Sequence, residues 1–139
     1  MIVLDTNVLS EVLRPKPNDA VVLWMRSQAA TDLFTTAICE AEICYGIALL
    51  PAGKRRTSLE EFASGLFGEE FPDRILRFDS AAARAFAVIA AARRRSGRPI
   101  SEFDAQIAAI ARSHDATVAT RDTADFVDCG VAAVSPWTK

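Results

Sequence analysis

Met1-Ile2-Val3-Leu4-Asp5-Thr6-Asn7 is the stretch that decides the fold. Ile2, Val3 and Leu4 run together without alternation and stop on an acid. A strand covered on both faces reads as a continuous apolar run, as in parallel sheets with helices on either side. Ligands gather just outside the carboxyl ends of such strands. Asp5 stands at that place, which makes it a candidate functional residue.

Working outward, apolar runs and helical patterns alternate. Asn7–Leu13 reads as a short helix stopped by Pro15 and Pro17, and Val21–Ser27 as another. Leu33–Thr35 is a second strand. Ala37–Leu50 has helical length and is apolar nearly all round, the pattern of a helix buried on most sides. Pro51 and Gly53 end it. Leu59–Phe67 is expected to be helical, Ile75–Phe78 a strand, Ser80–Arg95 a long Ala-rich helix and Glu102–Ser113 a further helix. Thr117–Ala119 and Val131–Val134 are the last strands. Strands that alternate with helices argue an α/β domain with a parallel sheet covered on both faces.

The chain has 139 residues, which fits one domain, 1–139, with one core. Half of it is hydrophobic and 24% charged, enough apolar material to fill that core. The longest uncharged stretch, Ile43–Gly53, is 11 residues and contains a proline, too short to span a bilayer. The opening residues lack the basic segment and small-residue site of a signal peptide, so a cytoplasmic protein without membrane contact is expected. Sixteen basic and 18 acidic side chains give a net charge of −2, without the basic excess of a protein that wraps duplex DNA. Carboxylates reserved for divalent ions would reverse the local sign, so a nucleic-acid enzyme stays open.

Three cysteines (Cys39, Cys44, Cys129) without CxxC spacing and a single histidine, His114, do not make a zinc set. The acids are more informative. Asp122 follows the Thr117–Ala119 strand as Asp5 follows the first. Glu40 and Glu42 lie in the apolar helix, and Asp104 near the start of another. Each Asp has a structural explanation, as a helix cap or a capped turn, and Ser101 to Asp104 has the form of a capping box. The glutamates are harder to explain that way, because an acid in packed surroundings needs a partner. Glu42 shares a stripe with Ile38, Tyr45 and Leu49, and Glu40 one with Ile43, Cys44 and Ile47, so periodicity does not choose between them. Arg121 is the evident cation near the strand ends. A divalent ion is the other source of compensation, and an all-oxygen donor set suits Mg²⁺ or Mn²⁺.

Met1-Ile2-Val3-Leu4-Asp5-Thr6-Asn7-Val8-Leu9-Ser10-Glu11 resembles the opening of PIN-domain proteins. Ala41-Glu42-Ile43-Cys44-Tyr45-Gly46, Phe103-Asp104-Ala105-Gln106-Ile107 and Thr120-Arg121-Asp122-Thr123-Ala124-Asp125-Phe126 resemble their second, third and fourth motifs, in order. The ending Val134-Ser135-Pro136-Trp137 fits the VapC/FitB-like toxins of toxin–antitoxin pairs. The resemblance implies a three-layer α/β/α fold with a central, mostly parallel sheet of four to five strands. It implies a metal-dependent endoribonuclease in which Asp5, Asp104 and Asp122 bind Mg²⁺ or Mn²⁺, with Glu42 a further ligand or the base that orients the water; that water attacks an RNA phosphodiester in line, and 5′-phosphate and 3′-hydroxyl ends result.

It also selects Glu42 over Glu40. Similar toxins commonly carry Asn at the position of Asp122 and an Asp three residues on, as Asp125 is here; Asp122, nearer the strand end, is the preferred ligand. Thr6, Asn7, Thr120 and Arg121 are expected to support the site. Arg121, Lys54, Arg55, Arg56, Arg93, Arg94, Arg95 and Arg98 are candidate RNA contacts, although most basic clusters are simply solvated surface. The implied partners are a VapB/FitA-like antitoxin, which alone would contact DNA, and a second copy in a homodimer or higher assembly. The rival from another class is a catalytically silent PIN-like module that binds RNA or protein. A receiver domain would need Asp79 as phosphoacceptor and a Lys where Ser135-Pro136 stands, and a DxD phosphatase needs an acid at Asn7.

Overall fold

The computed structural model describes residues 1–137. Five strands, β1 (Ile2–Leu4), β2 (Leu33–Thr36), β3 (Ile75–Leu76), β4 (Thr117–Ala119) and β5 (Ala133–Val134), form one all-parallel sheet in the order β3-β2-β1-β4-β5. Six helices accompany it: α1 (Thr6–Val12), α2 (Asp19–Ser27), α3 (Ala37–Ala48), α4 (Lys54–Gly65), α5 (Ser80–Arg95) and α6 (Glu102–Ser113). The architecture is the expected three-layer α/β/α.

β1 is central, and Val3, Leu4 and Val118 are fully buried, as continuous apolar strands require. From β1 the chain builds outward through β2 and β3, then crosses back to lay β4 on the other side of β1. The order therefore reverses between β1 and β4, and the carboxyl ends of those two strands flank the crevice where such sheets bind ligands. Leu4 pairs with Ala119, so the residues that follow, Asp5 and Thr120, emerge side by side.

Local signals place the helices. Asn18, Thr36, Asp79 and Ser101 accept hydrogen bonds from the first turns of α2, α3, α5 and α6. Asp79 is thereby a cap after the edge strand β3. α5 packs along α6, whose Ala105, Ala108, Ala109 and Ala111 are buried. His114 is the C-cap of α6. Gly130, at φ 74°, turns the chain toward β5, and a Cβ there would meet the Arg112 side chain at 3.0 Å.

Three expectations need correction. α3 is buried along one stripe only, Cys39, Ile43 and Ile47, while Tyr45 and Leu49 are each 67% exposed. Its uniform apolarity reflects an uncovered outer face. α4 begins at Lys54, five residues before the expected start, because Lys54–Ser58 is polar and exposed enough to show no apolar period. It runs into a π-helical turn at Leu66–Glu70. β3 and β5 are also shorter than their apolar runs, as edge strands of two residues.

Candidate active site

Asp5 is only 5% exposed, and both its oxygens are held. The backbone N–H of Thr6 donates to Oδ1 at 2.8 Å, and the hydroxyl of Thr120 donates to Oδ2 at 2.7 Å. Burial pushes the Asp5 pKa up to about 6; these hydrogen bonds oppose the rise, and the charges of Asp104 and Glu42 add to it. Thr120 is a hub. It also accepts the backbone N–H of Asp122 at 3.1 Å and the side-chain amide of Asn7 at 3.3 Å. Asn7 in turn donates to the Asp122 carboxylate at 3.2 Å and accepts the backbone N–H of Arg121 at 3.2 Å. The start of α1 and the end of β4, more than a hundred residues apart in sequence, are thus locked together.

Glu42 enters from α3, and the Thr6 hydroxyl donates to its Oε1 at 2.7 Å. Glu40 faces a different hollow, with Cys44, Arg56 and Glu60. Asp104 sits in the first turn of α6, where its backbone N–H donates to Ser101 Oγ. Its carboxyl is raised above the ordinary range, first by burial and then by Asp125 and Asp122, against the opposing effects of Ser101 and Arg93. Asp5, Glu42, Asp104, Asp122 and Asp125 all line one open pocket of about 520 Å³ together with Thr6, Asn7, Arg14, Arg121 and Trp137.

No His or Cys lines this pocket. Hard oxygen donors of this kind fit Mg²⁺ or Mn²⁺. Among the described residues no three acids, histidines or cysteines form a ready-made cage.

The cations divide sharply. Of those named from the sequence, Arg121 lines the acid pocket and Arg55 lines an adjoining apolar groove. Arg56 pairs with Glu60, and Arg98 with Asp128. Arg93 is the clear correction: it is 7% exposed and donates to the carbonyls of Arg98 (2.7 Å), Asp125 (2.8 Å) and Val127 (3.1 Å). It is consumed inside the fold and holds the turn that carries Asp125. Sequence reading also passed over Arg14 and Glu11. Glu11 is buried, accepts the Asn18 backbone N–H at 2.9 Å and pairs with Arg14 at 3.3 Å. The signal available was the i,i+3 spacing of opposite charges on α1.

The groove beside the pocket measures about 660 Å³ and is lined by Leu13, Ile43, Ile47, Leu50, Leu59 and Phe62, among others. It shares Thr6, Ser10, Arg14 and Glu42 with the acid pocket, so the two are continuous.

Residues 2–130 match the family model described as PIN domain. The chain is 44% identical over 137 residues to Toxin FitB of Neisseria gonorrhoeae, covering 99% of both chains. It is 44% identical over 140 residues to VapC ribonuclease Y4jK of Sinorhizobium fredii, covering 99% of this chain and 98% of the relative. A solved structure of FitAB bound to the IR36 DNA fragment superposes with a TM-score of 0.93 at 43% identity, over all of this chain and 97% of the other.

Proposed function

This chain belongs to the PIN-domain family, and on that premise we propose that it is the toxin of a toxin–antitoxin pair, a divalent-metal-dependent endoribonuclease. The observation that carries the reading is the convergence of Asp5, Glu42, Asp104, Asp122 and Asp125 on one pocket at the switch point of a parallel sheet. A module that only bound RNA would gain nothing from five carboxylates facing a polyanion. The names of the relatives, a toxin and a ribonuclease, supply the substrate class and the biological setting.

Asp5, Asp104 and Asp122 would hold the ion, with Glu42 as a further ligand or as the base that orients the attacking water, and Asp125 beside them. When bound, a Mg²⁺ or Mn²⁺ ion polarises the phosphoryl oxygens and makes water more acidic. The remaining work falls to the chain itself. Thr120 and the Thr6 N–H fix both oxygens of Asp5, so that carboxylate keeps its aim without an ion. Its pKa of about 6 leaves it largely ionised near neutral pH. Thr6 aligns Glu42 through its hydroxyl, which restricts the glutamate to one side of the pocket. Asn7 ties Asp122 to the start of α1, so the fourth acid moves with the first. Arg14 and Arg121 are the cations on the wall and offset part of the acids' repulsion of the strand being cut.

The groove that opens into this pocket suits the tail of an antitoxin. An apolar segment would fill the floor formed by Leu13, Ile47, Leu59 and Phe62, and a basic side chain at its end would reach the acids. Such a tail would occlude RNA while the antitoxin's own domain contacts DNA, consistent with the net charge of −2 here. The assembly would be a homodimer or a larger complex with antitoxin. No described helix is long and apolar enough to cross a membrane. A toxin that cuts RNA inside the cell that makes it would act in the cytoplasm.

Incubation of antitoxin-free protein with a structured RNA pool in Mg²⁺, Mn²⁺ or EDTA, alongside Asp104→Asn, tests the reading. Metal-dependent cutting lost in the variant is the expected result. A folded protein that cuts nothing and binds no Mn²⁺ would instead be the silent binding module.

A further inference from the structure

Arg121 and Trp137 meet at the wall of the acid pocket, the guanidinium carbon 5.3 Å from the centre of the indole ring. Both are held by backbone. The Arg121 N–H is bonded to Asn7, and the N–H of Thr120 donates to the Val134 carbonyl at 2.9 Å, which clamps β5 and the Trp137 segment beside β4. Arg121 is exposed and, among the described residues, makes no ion pair, although six carboxylates line the same pocket. Trp137 is partly buried against the core, so its ring is a fixed backing for a planar cation.

A guanidinium is flat, weakly hydrated and prone to stack. Held over an indole, it is kept from collapsing onto the nearby acids and offers its outer face to a second π system. Single-stranded RNA is recognised largely through such stacking, because every base has a π face whatever its sequence. We propose that Arg121 and Trp137 form a stacking platform for one nucleobase of single-stranded RNA, next to the phosphate that enters the acid pocket. This rests on the nuclease reading and adds to it a base-binding subsite. A base fixed there pulls its flanking phosphate toward the acids, which by charge alone would repel it.

The chain has two tryptophans, so Trp24→Phe leaves Trp137 as the sole indole reporter. In that background, with Ca²⁺ replacing Mg²⁺ to slow hydrolysis, a short oligouridylate should quench the indole emission, and a ribose-phosphate chain of equal length without bases should not. In Mg²⁺, Arg121→Lys and Trp137→Leu should each raise KM for RNA cleavage about tenfold with kcat little changed. Trp137→Phe, which keeps a ring, should stay near the native KM. Arg121→Lys is the decisive variant because it preserves charge and removes the plane. A native KM for Arg121→Lys beside a raised one for Arg121→Ala would reduce Arg121 to a phosphate contact and overturn the platform. So would unchanged indole emission in a protein that cuts RNA. Failure of the native protein to cut any RNA in any metal would overturn the nuclease reading, and the platform with it.

Discussion

Two regions of this molecule bury charge, and they do it in opposite ways. Arg93 lies under the end of α5 with its guanidinium engaged by three carbonyls and by the Cys129 sulfur at 3.6 Å. Asp5, equally buried, has its hydrogen bonds satisfied, yet burial raises its pKa to about 6, and the acids around it add to the rise. The cation is surrounded by fixed dipoles of the favourable sign, and the site is closed. The acid pocket is left with an excess of one sign, and that excess is what a ligand cation or a proton would relieve. Hydrogen-bond satisfaction alone does not separate structure from function here, since no buried side-chain polar atom among the described residues lacks a partner. Uncompensated charge does.

Five substitutions would break or sharpen that contrast. Asp104→Asn should cost the largest amount, on the order of a thousandfold in RNA cleavage with a near-native melting curve. Full activity in a folded variant would remove Asp104 from the site. Arg93→Met should leave three carbonyls without their donor and destabilise the fold by about 3 kcal/mol, read by urea denaturation. A native midpoint would show that the knot around Arg93 is not structural.

Asp5→Asn should go the other way in stability. The folded pKa of about 6 lies above the ordinary 3.8, so protonation favours the native state. Native Asp5 therefore supports the fold fully below pH 4 and loses that support as pH rises through 6. The asparagine variant, measured without metal, should be more stable than native protein by about 3 kcal/mol at pH 7.5, with most of the gain lost by about pH 4. A pH-independent difference would contradict the raised pKa of Asp5. Saturating Mn²⁺ should stabilise native protein and not the variant. The smallest effect belongs to Glu40→Gln, expected to leave cleavage within about twofold, since Glu40 lies in a separate hollow. Glu42→Gln should lose most of the activity. Equal losses would mean that α3 presents both acids to the substrate.

The acid side of this contrast was legible in the sequence, and the buried arginine was not. The apolar runs ending at Asp5 and before Asp122 placed those acids at strand ends, and α5 and α6 have the limits their caps and breakers imply. The first helical turns of α4 were not legible, because a polar, exposed stretch carries no period to read. α3 misled for the opposite reason: apolar residues all round it gave no indication of which stripe, Cys39, Ile43 and Ile47, the core would take.

The sequence by itself determined the alternation of strands and helices, the strand-end position of Asp5 and Asp122, and an all-oxygen chemistry, since one histidine and three scattered cysteines leave no other donors. Those follow from local patterns of polarity and from residue type. Only the tertiary structure decided that Arg93 is buried while Arg121 stands on the pocket wall, that Thr6 holds Glu42 and not Glu40, and that Trp137 backs Arg121. An arginine carries the same charge in any stretch until the fold sets one against backbone carbonyls and another against an indole. Periodicity records which residues share a face, whereas what packs against that face comes from elements tens of residues away.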